Sequence, residues 1–318
     1  MSIFEVRVVR KVREADAICS YELVRADGAP LPPFEAGAHI DVHLDGGLVR
    51  QYSLCNAPGE TQRYQIGVLR DPDSRGGSRA MHEEIDTGAT LRISAPRNHF
   101  PLVAAERTLL LAGGIGVTPM LAMAEALAAA DADFTLHYCA RSPGRAAFRE
   151  RIAASRFGAR VHFHYDDGAP AQRLDLARVL AAPGVGTHLY VCGPQGFIDH
   201  VLERARQLGW SSAQLHVEYF GAAPVDSSAD RAFDVRLASS NALVRVAAGQ
   251  TVLEALAQHG VRVPYSCAQG VCGTCLTRVL AGEPEHRDLY LTEDEQAAND
   301  QFLPCCSRAR SPLLVLDL

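Results

Sequence analysis

The sequence has no long apolar segment and no excess of positive charge. No stretch approaches the roughly 20 consecutive apolar residues of a membrane-spanning helix. The first residues, MSIFEVRVVRKVREAD, contain no apolar run of the signal-peptide type. The 318 residues carry a formal net charge of −6 at pH 7. We therefore expect a cytoplasmic protein without membrane contact, whose main partner is not nucleic acid.

Common hydrolytic signatures are also missing. The chain contains neither His-Glu-x-x-His nor Gly-x-Ser-x-Gly, so it lacks the patterns of a zinc protease and of an α/β-hydrolase. No acid–base dyad or activated nucleophile stands out elsewhere. His162 and His164 share a strand face without an evident third ligand, which favours ordinary core or surface histidines.

Cysteine, in contrast, is plentiful and clustered. Five of the nine cysteines fall in the last 52 positions, although structural disulfides are rare in the cytoplasm. Such clustering indicates metal or redox chemistry. Cys267, Cys272 and Cys275 have the spacing Cys-x4-Cys-x2-Cys, and Cys305 follows after 29 further residues. This spacing is typical of the [2Fe–2S] centre of plant-type ferredoxins.

The alternatives for these cysteines are a structural zinc site or plain buried thiols. Zinc sites usually combine two matched pairs of ligands, whereas the second half here offers the adjacent residues Cys305 and Cys306. Gly270 and Gly273 supply a flexible backbone that lets a short loop wrap one cofactor and point N–H groups at sulfur. The pattern therefore favours the iron–sulfur cluster.

The pattern of apolar and polar residues changes twice along the chain, which predicts three domains. The first alternates apolar and polar residues in short stretches such as HIDVHL, which indicates an antiparallel β-barrel. The second alternates buried strands such as TLLLAGG with helices such as TPMLAMAEALAAA, which indicates an α/β fold with a doubly wound parallel sheet. The predicted divisions are a barrel domain at 1–102, an α/β domain at 103–223, a small and polar linker at 224–232, and a cysteine-rich domain at 233–318.

Two motifs in the first region resemble the flavin site of ferredoxin–NADP reductase-like domains. In RQYSL, Arg50 offers a fixed positive fork for phosphate, Tyr52 can lie against the flavin ring, and Ser53 can hydrogen-bond the N5 edge. SRGGSRAMHEEI opens a predicted helix whose free N–H groups favour an anion, although an ordinary glycine turn is the alternative. The predicted flavin-binding residues here are Arg50, Gln51, Tyr52, Ser53, Arg75, Gly76, Gly77 and Ser78.

The second region carries a glycine turn and a later Cys-Gly-Pro segment. In LLLAGGIGVTPM the glycines follow a predicted strand and precede a helix, so the backbone can approach a pyrophosphate closely. YVCGPQGF ends another predicted strand, where its cysteine is either functional or a small buried thiol. The predicted nucleotide-binding residues are Gly113, Gly114 and Gly116 from the turn and, by resemblance to the nicotinamide domains of ferredoxin–NADP reductase-like proteins, Thr118, Pro119, Cys192, Gly193 and Pro194.

Together the motifs resemble one family of reductases. RQYSL is similar to the Arg-x-Tyr-Ser motif of ferredoxin–NADP reductase-like flavin domains. The glycine turn and YVCGPQGF are similar to the Gly-Gly-x-Gly-x-Thr-Pro and Cys-Gly-Pro motifs of their nicotinamide domains. The last 86 residues resemble a plant-type ferredoxin of β-grasp fold. With the ferredoxin part at the C-terminus, the whole chain resembles the phthalate dioxygenase reductase and vanillate O-demethylase reductase family.

This resemblance implies roles for particular residues. Ser53, Cys192 and Phe220 are predicted to be catalytic, with Cys192 beside the nicotinamide and Phe220 stacked on the flavin. The interval to the fourth cysteine favours Cys305 over Cys306. The predicted metal ligands are therefore Cys267, Cys272, Cys275 and Cys305.

The resemblance also implies a function. The expected cofactors are NADH, FMN and a [2Fe–2S] cluster, and the expected partner is a Rieske-type non-haem iron oxygenase that receives the electrons. We expect the reductase itself to be a monomer. Two alternatives are a FAD-containing reductase of a diiron monooxygenase and a redox sensor that no longer turns over NADH.

Overall fold

The computed structural model describes residues 2–72, 74, 76–181, 183–222 and 227–318. The chain divides into two compact units, Met1–Phe220 and Gly221–Leu318. Among the residues described, no helix combines the length and the apolar character needed to cross a lipid bilayer.

An antiparallel six-stranded sheet opens the first unit. Its strands are β1 (Ile3–Ala15), β2 (Ile18–Arg25), β3 (His39–His43), β4 (Val49–Ser53), β5 (Tyr64–Leu69) and β6 (Thr90–Ser94), with helix α1 (Gly77–Glu83) before β6. Their order in the sheet is β4-β3-β6-β1-β2-β5. A bridge between Leu54 and Ile66 joins the two ends of this order, so the sheet closes on itself. The predicted antiparallel barrel is confirmed.

Strand β3 is buried on both faces, which the alternation in HIDVHL does not reveal. Its polar residues His39 and Asp41 are only 4% and 5% exposed. Asp41 forms an ion pair with Arg97. Desolvation lowers the pKa of His39 to about 3, so its ring is neutral at pH 7 and lies 3.2 Å from the Gln51 side-chain nitrogen. Pairing of this kind is what allows polar groups to be buried.

A parallel five-stranded sheet completes the first unit. Its elements are β7 (Arg107–Gly113), α2 (Val117–Ala129), β8 (Phe134–Ala140), α3 (Arg149–Ala154), β9 (Val161–Tyr165), α4 (Leu176–Val179), β10 (Thr187–Gly193), α5 (Gln195–Gln207) and β11 (Leu215–Tyr219). The strand order is β11-β10-β7-β8-β9. Leu109, Leu110 and Leu111 in the central strand are at most 4% exposed, as expected for a strand covered on both faces. The predicted doubly wound fold is confirmed.

The second unit is a small mixed sheet with one packed helix. Its elements are β12 (Phe233–Leu237), β13 (Leu243–Val246), α6 (Val252–Gln258), β14 (Thr277–Ala281), β15 (Pro284–Glu285), α7 (Glu293–Ala298), β16 (Gln301–Phe302), β17 (Arg308–Ala309) and β18 (Leu313–Leu316). The five-stranded sheet has the order β13-β12-β18-β14-β16. Thr251 and Glu254 form a capping box at the start of α6, and Val252, Ala255 and Leu256 bury one side of this helix in the core.

The segment just before β12 is anchored to the second unit by a buried ion cluster. The side chain of Asp230 is 3% exposed, accepts a hydrogen bond from Arg287 at 2.8 Å and forms an ion pair with Arg308 Nε at 3.3 Å. Arg308 also donates to the carbonyls of Arg231 and Ala247, both at 3.0 Å. The linker predicted at 224–232 therefore overlaps an ordered anchor, and its residues 224–226 lie outside the described part of the chain.

We expect Asp230→Asn to destabilise the second unit. The substitution removes the carboxylate charge that two buried arginines share, and breaking a buried ion pair from one side costs about 3–5 kcal/mol. Urea unfolding of the full chain, followed by loss of the visible cluster absorption, measures this change. Asp234→Asn is the matched control, because Asp234 and its partner Arg245 are 32% and 62% exposed and such pairs contribute about 1 kcal/mol at most. Equal effects of the two substitutions would contradict the prediction.

Candidate functional site

The ends of three strands bring Ser53, Cys192 and Glu218 together. Cys192 in β10 and Glu218 in β11 are register partners in the parallel sheet. Ser53, the last residue of β4 in the barrel, donates a hydrogen bond from Oγ to Glu218 Oε2 at 3.4 Å. The barrel and the α/β sheet thus meet at a polar pair, beside the cysteine of the Cys-Gly-Pro segment.

Burial is the largest influence on the pKa values of Glu218 and Cys192. Burial of the Glu218 carboxyl group raises its pKa to about 8, and the hydrogen bond from Ser53 opposes that shift. Burial also raises the pKa of Cys192, and the nearby Glu218 charge raises it further. At pH 7 the site therefore holds a protonated carboxyl group and a neutral thiol. Cys192 is not poised as a nucleophile, since the thiolate is the reactive form.

The glycine turn packs directly against the Cys-Gly-Pro segment. A Cβ on Gly116 would overlap the carbonyl carbon and oxygen of Cys192 and lie 2.7 Å from the Gly193 nitrogen. A Cβ on Gly113 would lie 3.0 Å from Cδ of Pro194. Only glycine allows the two loops this approach. The structure therefore joins the two motifs predicted to bind the nucleotide, which lie some 75 positions apart in the sequence.

Of the other residues of the glycine motif, one faces open space and two are buried in the packing of the protein. Gly114 has a φ of +54° with nothing within 4 Å of an added Cβ, so this backbone is open to a ligand. Thr118 is 1% exposed and donates to the Ile115 carbonyl at 3.0 Å. Pro119 is buried in the first turns of α2. Direct contact of Thr118 and Pro119 with a nucleotide stays a prediction.

The two flavin motifs also meet. The side chain of Arg50 lies over Gly77, where an added Cβ would be 2.5 Å from Arg50 Nε. Gly76 has a φ of +93°, and Ser78 Oγ accepts from the Asp71 N–H at 3.2 Å. Arg75 lies outside the described residues. The structure therefore places the predicted phosphate cation beside the predicted glycine turn.

The remaining predicted residues near the barrel differ in exposure. Tyr52 is partly buried, and desolvation raises its pKa, so the phenol is neutral. Gln51 is held by the contact with His39, on the opposite side of β4 from Tyr52. Phe220 follows β11 and is 41% exposed, which leaves its ring available for stacking.

The cysteine loop is a tight segment with several left-handed residues. Ala268, Gly270 and Gly273 have φ values of 53°, 74° and 68°. A Cβ on Gly273 would collide with the ring of Tyr290, and a Cβ on Gly270 would lie 3.0 Å from Cα of Asp288. These glycines let the segment around residue 290 close over the loop.

The four predicted ligands come together in this loop. The sulfur of Cys267 contacts those of Cys272 and Cys305, and the sulfur of Cys275 contacts that of Cys305. These contacts lower the pKa of Cys267 and of Cys275 and raise the pKa of Cys272 and of Cys305, because thiols this close together share their protons. The Gln269 N–H points at Cys267 Sγ from 3.3 Å, as expected of a backbone donor around a cluster.

This arrangement fits a two-iron cluster better than a single ion. A [2Fe–2S] cluster instead spreads four thiolates over two irons, which matches the linked sulfur contacts. The donor set, all sulfur with backbone N–H support, suits iron–sulfur chemistry.

Cys306 lies beside the loop. A Cβ on Gly270 would be 2.5 Å from Cys306 Sγ, and this thiol also contacts the Leu303 carbonyl at 3.8 Å. The sulfur therefore packs against the loop backbone, and it also contacts the Cys305 sulfur. Its exclusion from the ligand set stays a prediction.

The sequence reasoning did not include Glu218 among the site residues. The segment QLHVEYF reads as a strand, and only its similarity to a Glu-x-Phe ending draws attention to the glutamate. Its partner Ser53 is 165 positions away, so no local pattern reveals the pair. The available signal was a glutamate in a strand that is otherwise apolar except for His216.

The second unit matches a known domain family. Residues 235–310 match the 2Fe-2S iron-sulfur cluster binding domain family. Residues 98–215 match the N-terminal domain family of dimethylamine monooxygenase subunit DmmA-like proteins.

Two relatives match over almost the whole chain. The vanillate O-demethylase oxidoreductase of Pseudomonas putida is 60% identical, over 98% of this chain and 98% of its own. The phthalate dioxygenase reductase of Burkholderia cepacia is 40% identical, over 98% of this chain and 96% of its own. The chain belongs to the phthalate dioxygenase reductase and vanillate O-demethylase reductase family. It is an oxidoreductase.

A solved structure of this reductase family has the same architecture. It is described as a phthalate dioxygenase reductase with a modular structure for electron transfer from pyridine nucleotides to [2Fe–2S]. It matches with a TM-score of 0.77 and 40% identity, over 100% of this chain and 98% of that one. The predicted combination of flavin barrel, α/β nicotinamide domain and ferredoxin domain is confirmed.

Proposed function

We propose that this reductase passes electrons from NADH through FMN to a [2Fe–2S] cluster and on to a Rieske-type oxygenase, as a monomer. The observation that carries the proposal is the meeting of Ser53, Cys192 and Glu218 on a chain whose other unit gathers four cysteine sulfurs. When bound, the flavin accepts two electrons as hydride and releases them one at a time to the cluster.

The chain's own residues bind and orient these groups. Arg50, lying over Gly77, offers its guanidinium to the flavin phosphate. The open backbone at Gly114 faces the nucleotide. Ser53 presents its hydroxyl to the flavin N5 edge. Because the Glu218 carboxyl group is protonated at pH 7, it can donate to Ser53 Oγ across their 3.4 Å contact, which leaves the single Ser53 proton for the flavin. Cys267, Cys272, Cys275 and Cys305 hold the cluster.

FMN is the flavin that the family membership favours. A FAD would carry an adenylate beyond the phosphate site at Arg50 and Gly77. Chromatography of the flavin released from purified protein, beside FMN and FAD standards, tests the assignment. Release of FMN in about one equivalent per chain is the expected result, and release of FAD would overturn this part of the proposal.

The partner follows from the family and the identity of its relatives. At 60% identity to a vanillate O-demethylase oxidoreductase, the chain is proposed to serve the oxygenase of an aromatic O-demethylase. Demethylation of a methoxy group releases formaldehyde. Formaldehyde formation from vanillate, with NADH, this reductase and a purified vanillate demethylase oxygenase, tests the pairing. The control is a phthalate dioxygenase oxygenase component with phthalate as its substrate. Equal rates of NADH-dependent turnover by the two oxygenases would contradict the assignment.

A further inference from the structure

Arg151 joins the barrel to the α/β sheet through both of its terminal nitrogens. It lies in α3, within the α/β part of the first unit. One nitrogen donates to Gln65 Oε1 in strand β5 at 2.8 Å, and the other donates to the Cys55 carbonyl at 2.7 Å. Gln65 and Cys55 are 6% and 0% exposed. One cation from the nicotinamide side therefore satisfies two buried acceptors of the barrel.

Arg151 also binds the helix that follows the glycine turn. Its second terminal nitrogen lies 3.3 Å from Glu125 Oε1 in α2, and the two side chains are 25% and 18% exposed. Glu125 balances the charge of Arg151 at a partly desolvated position, where ion pairs are stronger than at the surface. The same guanidinium thus connects α3, α2 and the barrel.

A close backbone approach lies beside this junction. A Cβ on Gly67 in β5 would be 2.8 Å from Thr118 Cγ2 and 3.1 Å from Phe148 Cζ. Thr118 follows the glycine turn by two residues, and Gly116 of that turn touches the Cys192 carbonyl. A continuous path of contacts therefore runs from the barrel through Gly67 and Thr118 to Cys192. A shift of α3 relative to the barrel would therefore be transmitted along this path to Cys192, because close-packed interiors transmit strain.

We propose that Arg151 is a positioning residue for hydride transfer, resting on the proposed function. In that reaction the C4–H bond of the nicotinamide breaks and an N–H bond forms at flavin N5. Both electrons move with the hydride, NADH is oxidised, and the flavin is reduced. Arg151 touches neither reactant. It holds the nicotinamide side against the barrel, and reaction rates respond steeply to such alignment.

The test compares Arg151→Met with Arg149→Met. Methionine keeps the length and apolar stem of Arg151 but removes its hydrogen bonds, and Arg149 is exposed on the same helix. In stopped-flow mixing with saturating NADH, we expect Arg151→Met to slow flavin reduction about tenfold or more. The Kd for NADH and the flavin content should stay close to wild type. Arg149→Met should stay within about twofold of wild type.

Two further measurements separate positioning from general damage. Hydrogen exchange in the nucleotide-free protein should become faster in β5 and α3 of Arg151→Met, and stay unchanged in the strands of residues 233–318. Arg151→Lys should recover part of the reduction rate, because one bond to the barrel can re-form. If Arg151→Met does not fold, Gln65→Leu removes only the bond to that side chain and should slow reduction in the same sense.

The outcomes distinguish this inference from the proposed function. If NADH fails to reduce the flavin of the wild-type protein, the proposed function fails. If the wild type is reduced and Arg151→Met is reduced equally fast, the positioning role alone is overturned. A variant that loses NADH affinity at an unchanged limiting rate would likewise overturn it, since Arg151 would then affect binding rather than alignment.

Discussion

Replacing Cys305 with alanine is expected to abolish the visible absorption of the [2Fe–2S] cluster and leave the flavin in place. The sulfur of Cys305 contacts those of Cys267, Cys275 and Cys306. With the proposed ligand set, its loss would leave one iron with a single protein thiolate. The residues proposed to bind the flavin and the nucleotide lie in the other compact unit. NADH-dependent ferricyanide reduction, which needs only the flavin, should therefore persist, whereas cytochrome c reduction through the cluster should fall to background.

Cys306→Ala is the matched control for this prediction. Its sulfur packs against Gly270, and it is the neighbouring thiol in the same turn of chain. The control should keep the cluster absorption and its electron paramagnetic resonance signal on reduction. Loss of the cluster in Cys306→Ala, with retention in Cys305→Ala, would reverse the ligand assignment. Loss in both would show that the turn itself is required.

The fold was predictable because its signals are local. The alternation in the barrel, the buried runs ending in glycine, and the spacing of three cysteines within nine residues each report on a short segment. A strand period, a strand-to-helix turn and a wrapped loop are all set by neighbouring residues. The fourth cysteine is the exception, since its interval points to Cys305 only through resemblance to a family.

The features that were not predictable depend on distant partners. Asp230 sits in a small, polar stretch with the composition of a linker, yet Arg287 and Arg308, some 57 and 78 positions away, bury it. Asp41 reads as the polar side of an alternating strand, but Arg97 allows it to be buried. A charge is buried or exposed according to whether the fold brings it a partner. Composition alone carries no such information.

Replacing Ser53, which contacts Glu218, is expected to have a large effect on the rate of flavin reduction. Ser53→Ala should lower the limiting rate of flavin reduction by NADH about 100-fold, because a fixed donor aimed at a reacting centre contributes about that much. Flavin content should be unchanged, since Arg50 and Gly77 bind the phosphate in this proposal. Ser20→Ala is a control on another buried barrel serine, whose hydroxyl donates to Glu14. Stopped-flow absorbance at the flavin band measures both, and equal rates in the two variants would contradict a role for Ser53.

The pH dependence of the same step should report on Glu218. Its carboxyl group is protonated below a pKa of about 8, so the limiting rate in wild type should fall as the pH rises through 8. There a buried negative charge forms in contact with Ser53, the residue proposed to hold the flavin N5 edge. Glu218→Gln cannot ionise, and its rate should be flat across this range.

The stability of the protein gives a second test of the Glu218 pKa that needs no turnover. Since the folded pKa lies above the ordinary value of 4.5, the folded state binds the proton more tightly, and this contribution is complete below pH 4.5 and lost as the pH rises to 8. Urea unfolding of Glu218→Gln should lack that decline, and an identical pH profile in wild type and variant would show that Glu218 is ionised throughout.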